Sequence, residues 1–195
     1  MSIAKDMEQI GRAARTAAQT LAITGGEDKA RALHAAATAI RAHAADILDA
    51  NARDMAAAGG LTPALRDRLK LDSTRIEAIA RGVDIVADLP DPVGRILSQW
   101  DVEENGLHIE KVSVPLGVIG IIYESRPNVT ADAAAIAIKA GNAVILRGGS
   151  ESFHSNRAIL DAIHEGLHVG AIPLTAAQLV PTTDREAVAH MLTMN

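Results

Sequence analysis

Residues 114–156 read VPLGVIGIIYESRPNVTADAAAIAIKAGNAVILRGGSESFHSN, and this stretch decides the fold. Its apolar run at 117–122 is too short for a free-standing helix and is rich in β-branched side chains, so it predicts a buried strand. Polar residues and a proline interrupt the run at 124–128. Residues 130–140 then read as a helix that is apolar on nearly every face. Gly141 and Asn142 stop it, both types that tolerate the left-handed conformation at a helix end. A second apolar run, 143–146, is another buried strand. Strand, helix and strand make a βαβ unit, the crossover that two parallel strands need. Ligands of open α/β sheets bind beyond the carboxyl ends of the strands. Two loops leave those ends. One carries Tyr123, Glu124, Ser125, Arg126, Pro127 and Asn128; the other carries Arg147, Gly148, Gly149, Ser150 and Glu151.

Upstream, the chain is helical and alanine-rich. Residues 3–23 place Ile10, Ala14, Ala17 and Leu21 at helical spacing, and Gly25-Gly26 ends the segment. Residues 28–50 predict one helix with Leu33, Ala37, Ile40, Ala44 and Ile47 on a single stripe. Gly59-Gly60 breaks a further short helix. Thr62-Pro63 restarts one, a capping side chain before a proline in the first turn. Thr74 and Glu77 have capping-box spacing before a helix with Ile76, Ile79, Ala80, Val83 and Val86 on one face. Residues 89–92, Leu-Pro-Asp-Pro, stop helix formation. Segments 95–101 and 107–114 predict a hairpin around Asn105-Gly106, with at least one face wet. Downstream of the central unit, 153–167 reads as a helix and 176–180 as a third strand. Thr183 and Glu186 again suggest a capping box, before a helix ending near Met191.

Composition limits the functional classes. The chain has 195 residues, is 48% hydrophobic and carries 19 basic and 24 acidic side chains, for a net charge of −5. The charges are mixed along the chain, so no basic block points to nucleic acid or to a membrane surface. No apolar run approaches the roughly 20 residues that span a bilayer. The first residues lack the apolar core of a secretory signal, which predicts a cytoplasmic protein. There are no cysteines, so these residues hold no disulfide, cysteine-ligated zinc or cysteine nucleophile.

Four features invite a chemical reading. The Arg147–Glu151 loop joins a strand end to a helix start, where backbone N–H groups and the helix dipole favour an anion. Arg147 suits a phosphate and Glu151 suits a ribose hydroxyl; an ordinary glycine-rich turn fits the same residues. In the other loop, Arg126 suits a carboxylate or phosphate and Asn128 suits a developing oxyanion. A capped loop whose polar groups satisfy its own backbone is the alternative. Gly117 and Gly120 lie within a strand and read as close backbone packing. His164-Glu165-Gly166-Leu167-His168 matches H-E-x-x-H, but a glycine sits inside it and the helix ends at the second histidine. It therefore reads as two solvated histidines rather than a zinc site, and no metal is expected.

Residues 114–130, VPLGVIGIIYESRPNVT, and 139–152, KAGNAVILRGGSES, resemble the glutamate-5-semialdehyde dehydrogenase (γ-glutamyl phosphate reductase) family, within the aldehyde dehydrogenase superfamily. Asp91-Pro-Val-Gly94 and the N-terminal helices resemble it too. The resemblance implies an aldehyde dehydrogenase-like α/β fold. Residues 1–90 would be the helical part of a cofactor domain, 91–114 a hairpin that pairs subunits into a homo-oligomer, and 115–195 a Rossmann-like cofactor-binding portion. It implies reduction of L-glutamyl 5-phosphate by NADPH, in proline biosynthesis, through a cysteine thioester. Arg147, Gly148, Gly149, Ser150 and Glu151 would then meet the adenosine end of the cofactor. Tyr123, Glu124, Ser125 and Arg126 would meet the substrate, and Asn128 would be the oxyanion donor. Family members are about twice as long and take their cysteine from the other half. The chain by itself is therefore expected to be inactive; a non-catalytic nucleotide-binding or subunit-pairing module is the alternative.

Overall fold

The computed structural model describes residues 2–194. Five helices come first: α1 (Ile3–Ala22), α2 (Gly26–Ala42), α3 (Ala44–Ala57), α4 (Pro63–Leu69) and α5 (Ser73–Asp88). A hairpin follows, β1 (Ile96–Val102) and β2 (Leu107–Val112). The rest is β3 (Val118–Ile122), α6 (Asn128–Lys139), β4 (Ala143–Arg147), α7 (Phe153–Val169), β5 (Ala177–Leu179) and α8 (Glu186–Thr193).

The predicted βαβ unit is present, but its first strand is not buried as expected: β3 lies at the sheet edge, with exposed and half-buried residues alternating along it. β3 and β4 pair in parallel, and β5 adds in parallel on the far side of β4. The register sets Ile122 beside Arg147, so the two loops leave the sheet at one level. Gly141 ends α6 at φ 75°, a conformation that costs a side chain strain. Asn142 then accepts the Gly117 N–H at 2.9 Å and ties the start of β3 to the start of β4.

β4 is buried from Ala143 to Leu146 because helices cover both of its faces. α1 packs on one face and α6 on the other, while α7 covers the neighbouring β5. α2, α3 and α5 form an outer layer behind α6 and α7. The core is mostly alanine, leucine and isoleucine, and small side chains let these helices approach closely. Gly166 marks the tightest point, since a Cβ there would stand 2.3 Å from the Ala36 backbone nitrogen of α2. This contact explains the glycine inside the His164–His168 pattern.

Several expectations need correction. Residues 28–50 form two helices, because the chain turns at His43, with no glycine or proline to mark the break. His43 is held there by Asp46 at 3.1 Å and Glu165 of α7 at 2.8 Å. α5 is capped by Asp72, whose side chain accepts the Arg75 N–H, so Thr74 lies inside the helix. α8 runs to Thr193, and Asp184 rather than Thr183 accepts the Glu186 N–H. In both cases a carboxylate nearby supplies the stronger acceptor. Of the two histidines expected in solvent, His168 is exposed, but His164 is half-buried and its ring donates to the Ala177 carbonyl at 2.8 Å. The Thr62-Pro63 start of α4 is as expected, with Thr62 accepting the Leu65 N–H.

The hairpin stands apart from this core. All of β1 except Val102 is exposed, as is all of β2 except Ile109. Its root is fixed by a buried ion pair: Lys29, fully buried on α2, meets Asp91 at 2.7 Å. Lys139 donates alongside to the Ala87 carbonyl at 2.7 Å, and burial pushes its ammonium below the usual lysine range. Among the described residues, no helix is long and apolar enough to cross a membrane.

Candidate functional site

The two loops beyond β3 and β4 touch each other. The Tyr123 N–H donates to the Arg147 carbonyl at 3.0 Å, which extends the parallel pairing by one step. Ser125 then donates its hydroxyl to Glu151 at 2.5 Å. That bond, with the backbone N–H of Glu151 next in weight, holds the Glu151 carboxyl below its usual range. The approach requires glycines. A Cβ on Gly149 would lie 2.2 Å from the Ser125 hydroxyl, and one on Gly148 would lie 2.2 Å from the Asn156 amide nitrogen.

Tyr123 turns inward and bonds Thr130 at 2.7 Å; burial pushes its phenol up to about 12. Glu124 reaches sideways to Arg68 of α4 at 3.2 Å. Arg126 stays exposed at the mouth of a cleft of ≈ 360 Å³. Asn128, expected in the loop, is the first residue of α6. Its amide donates to Asp132 at 3.0 Å, and burial raises the Asp132 carboxyl.

Arg147 faces the chain more than solvent. Its two terminal nitrogens donate to the carbonyls of Gly148, at 2.5 Å, and Thr183, at 2.8 Å. Its Nε and the Oδ1 of Asn156 are both buried without a partner, a donor and an acceptor lining one small cleft. That cleft opens where β4 and β5 end, bounded by Gly148, Gly149, Thr182 and Thr183.

The fold adds residues that the loop sequences do not reveal. The cleft beside Arg126 and Asn128 takes Arg68, Lys70 and Arg75 from the α4–α5 region. The run Leu-Arg-Asp-Arg-Leu-Lys at 65–70 was the available sign. Asn51 and Asp54 are also buried polar groups, one turn apart on α3. A larger hollow, ≈ 1190 Å³, lies elsewhere, between α1, α8 and the root of the hairpin. It is lined mainly by apolar groups such as Met7, Leu116, Ile145 and Met191, and none of the loop residues reaches it. Polar groups converge at the two loops and not in this hollow, which makes the loops the candidate site.

The aldehyde dehydrogenase family profile matches residues 1–195. This chain belongs to the aldehyde dehydrogenase family. Among its relatives, gamma-glutamyl phosphate reductase of Paramagnetospirillum magneticum is 56% identical over 191 residues. That match covers 97% of this chain and 45% of the relative. The crystal structure of gamma-glutamyl phosphate reductase from Thermotoga maritima superposes with a TM-score of 0.92 at 38% identity, over 96% of this chain and 45% of that one. The Saccharomyces cerevisiae enzyme of the same name gives 0.84 at 33% identity, over 93% and 47%. The chain thus spans under half the length of these family members and corresponds to their N-terminal portion.

Proposed function

We propose that these residues are the cofactor-binding portion of an NADPH-dependent γ-glutamyl phosphate reductase. The complete protein would convert L-glutamyl 5-phosphate to L-glutamate 5-semialdehyde with release of phosphate, in proline biosynthesis. The observation that carries this reading is the identity to enzymes of that name along nearly the whole chain. In this reading, residues 1–90 and 115–195 form one cofactor unit and 91–114 pairs subunits.

The residues between β4 and β5 suit a nucleotide. Glu151, exposed and held ionised by Ser125, is an acceptor for ribose hydroxyls. The unpartnered Arg147 Nε and Asn156 Oδ1 are a donor and an acceptor, a combination that a hydroxyl group satisfies. When bound, NADPH supplies the hydride. Arg126, with Lys70 beside it, is the candidate for the anionic groups of the substrate. Asn128 holds Asp132 with one amide N–H and has a second for the oxyanion at the acyl carbon. The 195 residues hold no cysteine, so the attacking thiolate belongs to residues outside them. With no such thiolate, residues 1–195 alone are inactive. The exposed apolar side chains of the hairpin, Trp100 and Leu97 among them, favour its role in homo-oligomer assembly. A cytoplasmic location is part of the same reading.

The test is an assay of the complete protein in the reverse direction, with L-glutamate 5-semialdehyde, phosphate and NADP. Phosphate-dependent NADPH formation is expected. A simple aldehyde oxidised faster, without need of phosphate, would replace this reading with another activity of the aldehyde dehydrogenase family. In the active protein, Glu151→Gln weakens NADPH binding by about 1.5–3 kcal/mol, the scale of a hydrogen bond to a charged group.

A further inference from the structure

α7 begins without a cap of its own. Ser152 occupies the cap position and makes no capping bond. Its hydroxyl donates instead to the Gly149 carbonyl at 3.1 Å and accepts from the Asn156 amide at 3.0 Å. The unpaired amides of the first turn are met from α3. Asp54 accepts the His154 N–H at 3.1 Å with one oxygen. Its other oxygen accepts the Ser155 N–H at 2.8 Å and the Ser155 hydroxyl at 2.6 Å. Asp54 is only 3% exposed. Asn51, one turn earlier, locks the same group. It donates to the Ser155 hydroxyl at 3.0 Å and to the Leu69 carbonyl at 2.9 Å, and accepts the Leu71 N–H at 2.8 Å.

The first amides of a helix, with the dipole behind them, favour a negative group. At the end of a strand in an α/β sheet, that position commonly receives a nucleotide phosphate. Here a carboxylate from α3 already occupies it, closed off from solvent. The turn 150–152 lies directly before His154 and Ser155, so the same bonds fix where Glu151 stands relative to Ser125.

We propose that Asp54 is a positioning residue for the cofactor loop: its carboxylate takes the place of an external anion at the start of α7 and so holds the Arg147–Glu151 turn in its binding geometry. The proposal rests on the nucleotide-binding role assigned to that loop above. It also means that no phosphate of the bound nucleotide seats on the first turn of α7.

The experiment compares the unmodified complete protein with Asp54→Ala and Asp54→Asn. Two readouts are used: the NADPH dissociation constant, and the melting temperature with sodium acetate titrated against sodium chloride at matched ionic strength. In Asp54→Ala the dissociation constant rises about tenfold, the size of one hydrogen bond to a charged group. Acetate, entering the vacated position, raises the melting temperature and restores part of the NADPH affinity; neither responds to acetate in the unmodified protein. Asp54→Asn keeps the volume and one acceptor oxygen, so it loses less affinity. It carries the same measurements if the alanine variant does not fold. A folded variant with unchanged NADPH affinity overturns the proposal, as does a loss of affinity that acetate leaves untouched in Asp54→Ala. If the unmodified protein itself fails to bind NADPH, the reading of the loop fails instead. The acetate-dependent melting temperature still decides whether Asp54 fills an anion position.

Discussion

β1 and β4 are both short, apolar-rich strands, yet almost every residue of one is exposed and almost every residue of the other is buried. The difference lies in what covers them. β4 has α1 on one face, α6 on the other and a strand on each side, whereas β1 pairs with β2 at the edge of a two-stranded sheet. A strand that exposes Trp100, Leu97 and Ile96 together has an apolar surface suited to another body. Burial is therefore a property of the arrangement of elements and cannot be assigned from the apolar content of one strand.

The two regions meet at Asp91, and this is where the contrast is easiest to break. Asp91→Ala leaves the fully buried Lys29 ammonium unpaired. Urea denaturation of the complete protein is expected to show a loss of about 3–5 kcal/mol. Replacing Lys29 by Met in the same variant recovers much of it. Within the core, Leu146→Ala removes a fully buried side chain covered from both faces and costs about 3 kcal/mol by the same measurement. Trp100→Ala in the hairpin, a larger truncation, changes unfolding by less than about 0.5 kcal/mol at low protein concentration. On the assembly role proposed for the hairpin, it also weakens subunit association, read by sedimentation. Equal unfolding costs for Leu146→Ala and Trp100→Ala would dissolve the contrast.

The smallest effect concerns pH. The cross-strand Asp101 carboxylate, with Glu110 second, raises the His108 imidazole above its ordinary value. A group raised on folding favours the folded hairpin below its unfolded pKa, about 6.5. It loses that contribution as pH climbs through the raised value. An NMR titration of His108 should have its midpoint above the ordinary range. Asp101→Asn should bring it back down; a midpoint that stays in place removes Asp101 as the cause.

The central unit was legible because each of its signals is local. Two apolar runs, a helix between them and Gly141-Asn142 at the helix end are readable within 30 or so neighbouring residues, as strand and helix lengths allow. The hairpin was legible from Asn105-Gly106. What escaped depends on distant partners. Nothing in the stripe of residues 28–50 marks the turn at His43, because Glu165 of α7 helps to hold it. Asn51 and Asp54 look like solvated helix positions until Ser155 is brought to them. The candidate site follows the same rule. Both loops were found from their strands, but the Ser125–Glu151 contact and the Arg68, Lys70 and Arg75 wall arise only when separate segments pack.

The cap on α7 also bears on the order of folding. Asp54 and Ser155 are 101 positions apart, so this helix start is completed by a contact of long sequence separation. α3 precedes α7 along the chain, so its carboxylate is made before its partner amides. These bonds predict that, once α7 docks, the two helices open and close as one cooperative unit. The amides of His154 and Ser155 should then exchange hydrogen for deuterium only in openings that separate α3 from α7, unlike the freely fraying first turn of an ordinary helix.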